Sequence, residues 1–237
     1  MAWIMATASN QSAFLWINQL GPATSDPLWA NITVLGDTLV ALALCLPLWR
    51  RRPDLVWAIV FAVLLATLWV QGLKPIADVP RPPAVLTDLH VIGPAYKAGS
   101  FPSGHATTAF TLAGLIAFGF ASRIWLGIAL LFAGIVAISR AVVGVHWPLD
   151  LLAGAFGGWL SAAAALWLAQ RTLKWGLIPW VQWVLGLFLV ACAVVLVIGH
   201  AKSGYPQAQV FQRIIGLACL LIAGARLIRD FRSRPGL

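Results

Sequence analysis

Charged residues are scarce in this sequence. Only 10% of the 237 residues are charged, whereas 61% are hydrophobic. A water-soluble domain of this length has too little interior to bury so much apolar surface. The sequence also lacks the alternation of apolar and polar residues that marks the strands of a membrane barrel. These absences leave an all-α, polytopic bundle of transmembrane helices, expected as a single integral-membrane domain over 1–237.

Cysteines are few and isolated. Cys45, Cys192 and Cys219 each lie alone inside an apolar run, without the spacing of a metal site or a disulfide framework. We interpret them as buried apolar side chains. The net charge of +9 is spread between the apolar runs instead of forming a patch with aromatic residues, which disfavours nucleic acid as a partner.

Apolar runs of about 20 residues, the length that crosses a bilayer, predict six to seven spans. The weakest is the last, because Arg213 and Arg226 shorten its apolar centre. A short interfacial helix is expected over 9–20, and the proline- and glycine-rich segment between 75 and 103 is predicted to be a loop. The expected spans are 28–49, 54–74, 104–122, 124–143, 149–169, 178–199 and 208–228.

The basic residues indicate an orientation. If the "RRRP" turn at 50–53 lies on the cytoplasmic side, ten of the sixteen basic residues fall on that side, as the positive-inside rule expects. The other six fall on the outer face, where that rule does not explain them. They are Lys74, Arg81, Lys97, Arg140, Lys202 and Arg213.

Three polar blocks lie at helix ends on this outer face. Because the topology brings these ends to one membrane surface, we expect the blocks to share one site. The blocks are Lys74 with Arg81-Pro82, then Pro102-Ser103-Gly104-His105, and finally Ser139-Arg140 with His146 and Asp150.

The cations of these blocks indicate a phosphate. Lys74, Arg81 and Arg140 repel one another beside a low-dielectric medium unless an anion lies between them. Phosphate suits them, since guanidinium groups match its oxygens in pairs. Ser103 and Gly104 begin the third helix, where free backbone N–H groups and the helix dipole favour the same anion. We therefore expect all five residues to bind phosphate.

The histidines indicate catalysis. His146 and Asp150 are four residues apart, so that the carboxylate can fix the imidazole tautomer and leave the other ring nitrogen free to attack phosphorus. His105 lies at the mouth of the third helix, where it is placed to protonate the leaving oxygen. The two histidines are thus expected to have different roles.

In order and spacing, the three blocks resemble the signature of the type 2 phosphatidic acid phosphatase (PAP2) superfamily, in particular its bacterial integral-membrane lipid phosphatases. The motifs lie within 74–150, and the similarity in helix order extends over about 54–170. The resemblance implies a phosphatase that needs no metal or other cofactor and works through a phosphohistidine on His146. Asp150 is implied to orient that ring and His105 to act as general acid. Lys74, Arg81, Ser103, Gly104 and Arg140 are implied to bind the phosphate oxygens.

The implied substrate is a lipid-linked phosphate or diphosphate at the outer face of a bacterial cytoplasmic membrane. Undecaprenyl diphosphate, hydrolysed to undecaprenyl phosphate, is the first choice. Phosphatidylglycerophosphate, phosphatidate and lipid A phosphates are alternatives, as is phosphoryl transfer to another lipid.

Alternatives of other kinds are a vanadate-dependent peroxidase, a phosphatase of soluble esters, and a lipid or anion transporter that uses the cationic pocket only to bind. The His146–Asp150 pair disfavours the transporter, because binding alone does not need it. Asp37, an acid inside the first span, has either a function or a place in interfacial water.

Overall fold

A computed structural model describes residues 8–120, 122–199 and 203–232, and these residues contain helices and no strands. Lys202, expected on the outer face, lies outside them. Three 3-10 turns accompany the α-helices, at Val34–Gly36, Leu46–Leu48 and Pro206–Ala208. The α-helices are α1 (Ala8–Asn18), α2 (Leu20–Ala23), α3 (Asp26–Thr33), α4 (Thr38–Cys45), α5 (Pro53–Ala77), α6 (Pro82–Val85), α7 (Gly104–Phe120), α8 (Arg123–Val142), α9 (Pro148–Arg171), α10 (Leu173–Gly176), α11 (Pro179–Ile198) and α12 (Gln209–Arg232).

Helix α7 lies at the centre of the bundle. It packs against α5, α8 and α9, while α11 and α12 pack against each other and against α4. Close approach of α7 and α9 depends on the "GAFGG" run at 154–158. A Cβ built on Gly158 would lie 2.4 Å from the carbonyl oxygen of Thr107, and one on Gly154 would lie 2.6 Å from that of Ser103. Small residues therefore let the two backbones touch.

The apolar run over 28–49, predicted as one helical span, is not a single straight helix. Two apolar helical segments, Asp26–Gly36 and Thr38–Leu48, meet there at an angle of 67°. Asp37 lies at the break in an extended conformation, and its carboxylate accepts a hydrogen bond from the N–H of Leu39 at 2.8 Å. Asp37 therefore caps α4. This cap begins a new helix at a point where hydropathy alone predicts that the preceding helix continues.

Among the described residues, five helical segments are long and apolar enough to cross a membrane, or six if the bent pair forms one span. The segment that ends the chain is among the five, although the sequence marks it as the weakest. Helix α7 is apolar but shorter, at 17 residues. The expected count of six to seven spans stays a prediction.

The loop between α5 and α7 folds back over one end of the bundle. Arg81 and Ser100 of this loop are buried, and the N–H of Ser100 donates to the carbonyl of Val79 at 2.9 Å. The expected helix at the start of the chain is present as α1 and packs on the same region, where Phe14 meets the Trp147 ring edge-on at 5.1 Å between centroids. We call this end of the bundle, where 75–103 covers α7, the loop end.

Replacing Gly158 by alanine tests the contact between α7 and α9. The added methyl group would lie inside contact distance of the α7 backbone, so the two helices must move apart, at a cost of about 1–3 kcal/mol. We expect Gly158→Ala to lower the thermal unfolding temperature of the detergent-solubilised protein. Gly127→Ala in α8 is the matched control, because nothing lies within 4 Å of its Cβ position. Equal unfolding temperatures for the two variants would contradict this packing.

Candidate active site

The predicted site residues all come from elements that meet at the loop end. Lys74 lies in the last turn of α5, Arg81 in the loop, and Ser103 and Gly104 where α7 begins. Arg140 lies in the last turn of α8, His146 in the turn after α8, and Asp150 in the first turn of α9. His105 follows Gly104 in α7 and lines the same groove as Lys74 and Gly104.

A buried carboxylate holds the imidazole of His146. Oδ2 of Asp150 accepts hydrogen bonds from the Ser100 hydroxyl at 2.5 Å and from the N–H of Trp147 at 2.8 Å. It also lies 3.3 Å from Nδ1 of His146, and the side chain of Asp150 is fully buried. This contact places the proton of the ring on Nδ1 and leaves the lone pair of Nε2 free of the carboxylate.

Nε2 of His146 lies beside the guanidinium group of Arg81, at 3.3 Å from its NH1 atom. Arg81 itself is fixed by backbone carbonyls. Its Nε donates to Ala98 at 2.9 Å, and its terminal nitrogens donate to Gly99 and Val145, each at 3.2 Å. Three backbone carbonyls therefore hold the guanidinium group of Arg81 in place without a ligand.

Burial lowers the pKa of His146 well below its ordinary value, and the positive charges of Arg81, Arg140 and Lys74 lower it further. His146 lies in the turn that joins α8 and α9, outside both helices. The imidazole is consequently neutral at neutral pH.

The start of α7 differs in one respect from the expectation. The backbone N–H of Ser103 is not free, because it donates to the carbonyl of Asp150 at 3.0 Å. The hydroxyl of Ser103 accepts from the N–H of Ala106 at 3.4 Å and keeps its own proton for another acceptor. The N–H groups of Gly104 and His105, which have no intrahelical partner at this position, are the backbone donors that remain.

Arg140 is held by residues that lie outside the sequence motifs. Its NH1 atom donates to the hydroxyl of Thr33 at 2.6 Å and to that of Tyr205 at 2.9 Å. Sequence reasoning missed these two residues and Ser100. Of the three, only Ser100 could have been identified from the sequence, since it lies three residues before Ser103 in the "SFPSGH" stretch.

An open groove of about 290 Å³ runs between α4, α5 and α7. Lys74 and His105 line one end, and Ile59 and Leu115 line the other. Ile59 and Lys74 lie about 22 Å apart along α5 at 1.5 Å per residue. The groove therefore joins the loop end to the apolar middle of the bundle. Among the described residues, no group of three or more His, Cys, Asp or Glu side chains is placed to hold a metal ion.

Comparisons with known proteins show what this chain is similar to. The family model described as PAP2 superfamily matches residues 55–174. The chain is 40% identical over 85 residues to the putative undecaprenyl-diphosphatase YbjG of Escherichia coli, a match covering 32% of this chain and 42% of that one. It is 31% identical to the bacitracin transport permease protein BcrC of Bacillus licheniformis, over 68% of this chain and 81% of that one.

A third relative is the lipid A 1-phosphatase of Rhizobium etli, 40% identical over 34% of each chain. The matched parts thus span less than half of the Escherichia coli and Rhizobium relatives.

Two solved structures share the fold. Aquifex aeolicus LpxE aligns with a TM-score of 0.61 and 31% identity, covering 69% of this chain and 98% of that one. The PAP2-type phosphatidylglycerolphosphate phosphatase of Bacillus subtilis aligns with a TM-score of 0.52 and 23% identity, covering 72% and 90%. The all-α transmembrane architecture predicted from the sequence is confirmed.

The lowered pKa of His146 can be measured directly. We expect the imidazole to stay neutral in phosphate-free buffer as the pH falls below about 6.5, the ordinary histidine value. Nitrogen NMR of the protein labelled at its histidine rings would show this, with His146→Gln used to assign the signal. A titration midpoint at or above the ordinary value would contradict the burial and the nearby positive charges.

Proposed function

Because the chain belongs to the PAP2 superfamily, we propose that it hydrolyses a lipid-linked phosphate or diphosphate through a phosphohistidine on His146. The observation that carries the proposal is the buried line of three side chains, Asp150, His146 and Arg81, joined by contacts of 3.3 Å on both sides of the imidazole. It supplies an oriented, neutral nucleophile beside a fixed cation.

The first step transfers the phosphoryl group to the protein. Nε2 of His146 attacks phosphorus in line with the bond to the leaving oxygen, and that bond breaks as His105 donates a proton to the departing oxygen. The imidazole becomes a phosphorylated cation, whose Nδ1 proton the carboxylate of Asp150 stabilises. Water then attacks phosphorus, His105 accepts a proton from it, and the nitrogen–phosphorus bond breaks to release inorganic phosphate.

The surrounding cations stabilise the charge that develops on the phosphate oxygens. Arg81 and Arg140 supply guanidinium donors and Lys74 an ammonium group. The hydroxyl of Ser103 and the N–H groups of Gly104 and His105 supply uncharged donors at the start of α7. Ser103 thus binds through its side chain, since its backbone N–H is already used.

The groove beside the site supports a lipid as the substrate. Its outer end is lined by Lys74 and His105, and its inner end by apolar side chains of α5 and α7. A substrate whose phosphate lies at the loop end can place its apolar part in this groove. A soluble phosphate ester would leave these apolar walls unfilled.

The relatives suggest the lipid. The Escherichia coli relative is named a putative undecaprenyl-diphosphatase and the Rhizobium relative a lipid A 1-phosphatase. Undecaprenyl diphosphate is the first substrate to test, followed by phosphatidylglycerophosphate, phosphatidate and lipid A phosphates, with phosphoryl transfer to a second lipid as an alternative outcome. The positive charges at 50–52 favour the cytoplasmic side for the opposite end of the bundle, so the site would face outward from a bacterial cytoplasmic membrane.

A second candidate is a transporter that binds an anionic lipid without reacting with it. The relative named a bacitracin transport permease protein favours it. The site argues against it, because an imidazole oriented by a buried carboxylate adds nothing to simple anion binding.

The test is release of inorganic phosphate from a panel of lipid phosphates and diphosphates in detergent, with a metal chelator present. We expect the unaltered protein to release phosphate, and His146→Ala to lose the activity by more than about a thousandfold because no nucleophile remains. With radiolabelled substrate, an alkaline quench should leave label on the unaltered protein and none on His146→Ala.

His90→Gln is the matched control for loss of a histidine, since the His90 ring bonds Asp26 instead of the site, at 2.7 Å. It should keep the activity. Lipid binding without phosphate release by the unaltered protein would favour the transporter, and equal release by the unaltered protein and His146→Ala would rule out the phosphohistidine.

A further inference from the structure

Arg140 is a buried cation whose hydrogen bonds are incomplete. Only 3% of its surface is exposed. One terminal nitrogen, NH1, donates to the hydroxyls of Thr33 and Tyr205, whereas Nε is buried and has no partner among the described residues. A buried guanidinium group left partly unpaired is costly unless a ligand completes it.

Tyr205 comes from a part of the chain that the family model does not include. The match ends at residue 174, and Tyr205 precedes the 3-10 turn before α12. Its hydroxyl nevertheless reaches the last turn of α8, and only 3% of the residue is exposed. A residue outside the part of the chain matched by the family model thus contacts Arg140, a motif residue.

The ring of Tyr205 is held firmly. It packs in an apolar cluster with Ile92 and Val143. A Cβ on Gly93 would lie 2.7 Å from this ring, so the backbone of the loop presses directly on it. Gly93 also has a φ of +82°, which a larger residue rarely adopts. The packing of the ring therefore fixes the position of the hydroxyl, independently of its hydrogen bond with Arg140.

The hydroxyl proton of Tyr205 has no acceptor among the described residues. The oxygen accepts from Arg140, and within the described ranges no side chain or carbonyl accepts a hydrogen bond from Tyr205 in return. Two buried donors on neighbouring groups, the hydroxyl of Tyr205 and Nε of Arg140, thus have no acceptor in the part of the chain that the structure describes. An anion with several oxygens is the ligand that satisfies both.

We propose that Tyr205 is a further residue of the phosphate site, where its hydroxyl orients Arg140 and donates its own proton to a phosphate oxygen. This proposal rests on the proposed function, because it assigns Arg140 to phosphate. Thr33 acts with it as a positioning residue by holding the same guanidinium nitrogen. The hydrogen bonds from Tyr205 and Arg140 stabilise the transition state most, because fixed donors interact most strongly with the negative charge that develops on the phosphate oxygens there.

The experiment removes the hydroxyl and keeps the ring. We expect Tyr205→Phe to lower kcat/KM by about 10- to 100-fold and to weaken inhibition by orthovanadate, a mimic of the transition state, by a similar factor. The unfolding temperature should fall only slightly, since the aromatic packing is retained and one hydrogen bond to Arg140 is lost. Tyr96→Phe is the matched control, because the Tyr96 residue is 53% exposed and the variant keeps its ring, whose centroid lies 5.3 Å from the guanidinium carbon of Arg81.

A double-mutant cycle separates this role from a merely structural one. If Tyr205 acts with Arg140, Tyr205→Phe should cost much less in an Arg140→Ala background than in the unaltered protein. A loss of kcat/KM that is equally large in that background would show that Tyr205 does not act through Arg140, and would overturn the proposal. Unchanged kcat/KM and vanadate inhibition in Tyr205→Phe would overturn it as well, while the proposed function stands. Absence of phosphate release by the unaltered protein is a different result, which overturns the proposed function itself.

Discussion

One buried carboxylate joins the parts of the chain that form the loop end. Oδ2 of Asp150 binds the hydroxyl of Ser100, the N–H of Trp147 and the ring of His146, while the carbonyl of the same residue accepts from Ser103. The long loop, the turn after α8 and the start of α7 are therefore all tied to the first turn of α9. The geometry of the imidazole depends on these bonds, because each restrains a different element around it.

The charges of the site are unbalanced until an anion binds. Lys74, Arg81 and Arg140 meet near one buried acid, Asp150, and the burial that strengthens attraction to a phosphate also strengthens repulsion among the cations. Backbone carbonyls fix Arg81, and two hydroxyls fix Arg140. These hydrogen bonds hold both guanidinium groups in place, so the proposed binding of phosphate needs little rearrangement of them.

The sequence singles out the motif residues, whose roles stay predictions, and it misses the residues that hydrogen-bond to them. Charged side chains such as Arg140 and Asp150 stand out in an apolar chain, and their spacing places them at helix ends. Thr33 and Tyr205 are ordinary residues, and their contact with Arg140 depends on how the first and last helices pack, which hydropathy does not specify. The break at Asp37 is missed for a related reason, since one capping hydrogen bond decides it within a continuously apolar run.

The proposed function requires one phosphorus atom to be surrounded by side chains from separate helices. A crystal structure of the protein with bound orthovanadate tests this requirement most directly. We expect vanadium bonded to Nε2 of His146, with the cationic groups of Arg81, Arg140 and Lys74 around its oxygens and His105 on the opposite side. Vanadate bound elsewhere, or bound here with the ring of His146 turned away from it, would contradict the proposed function.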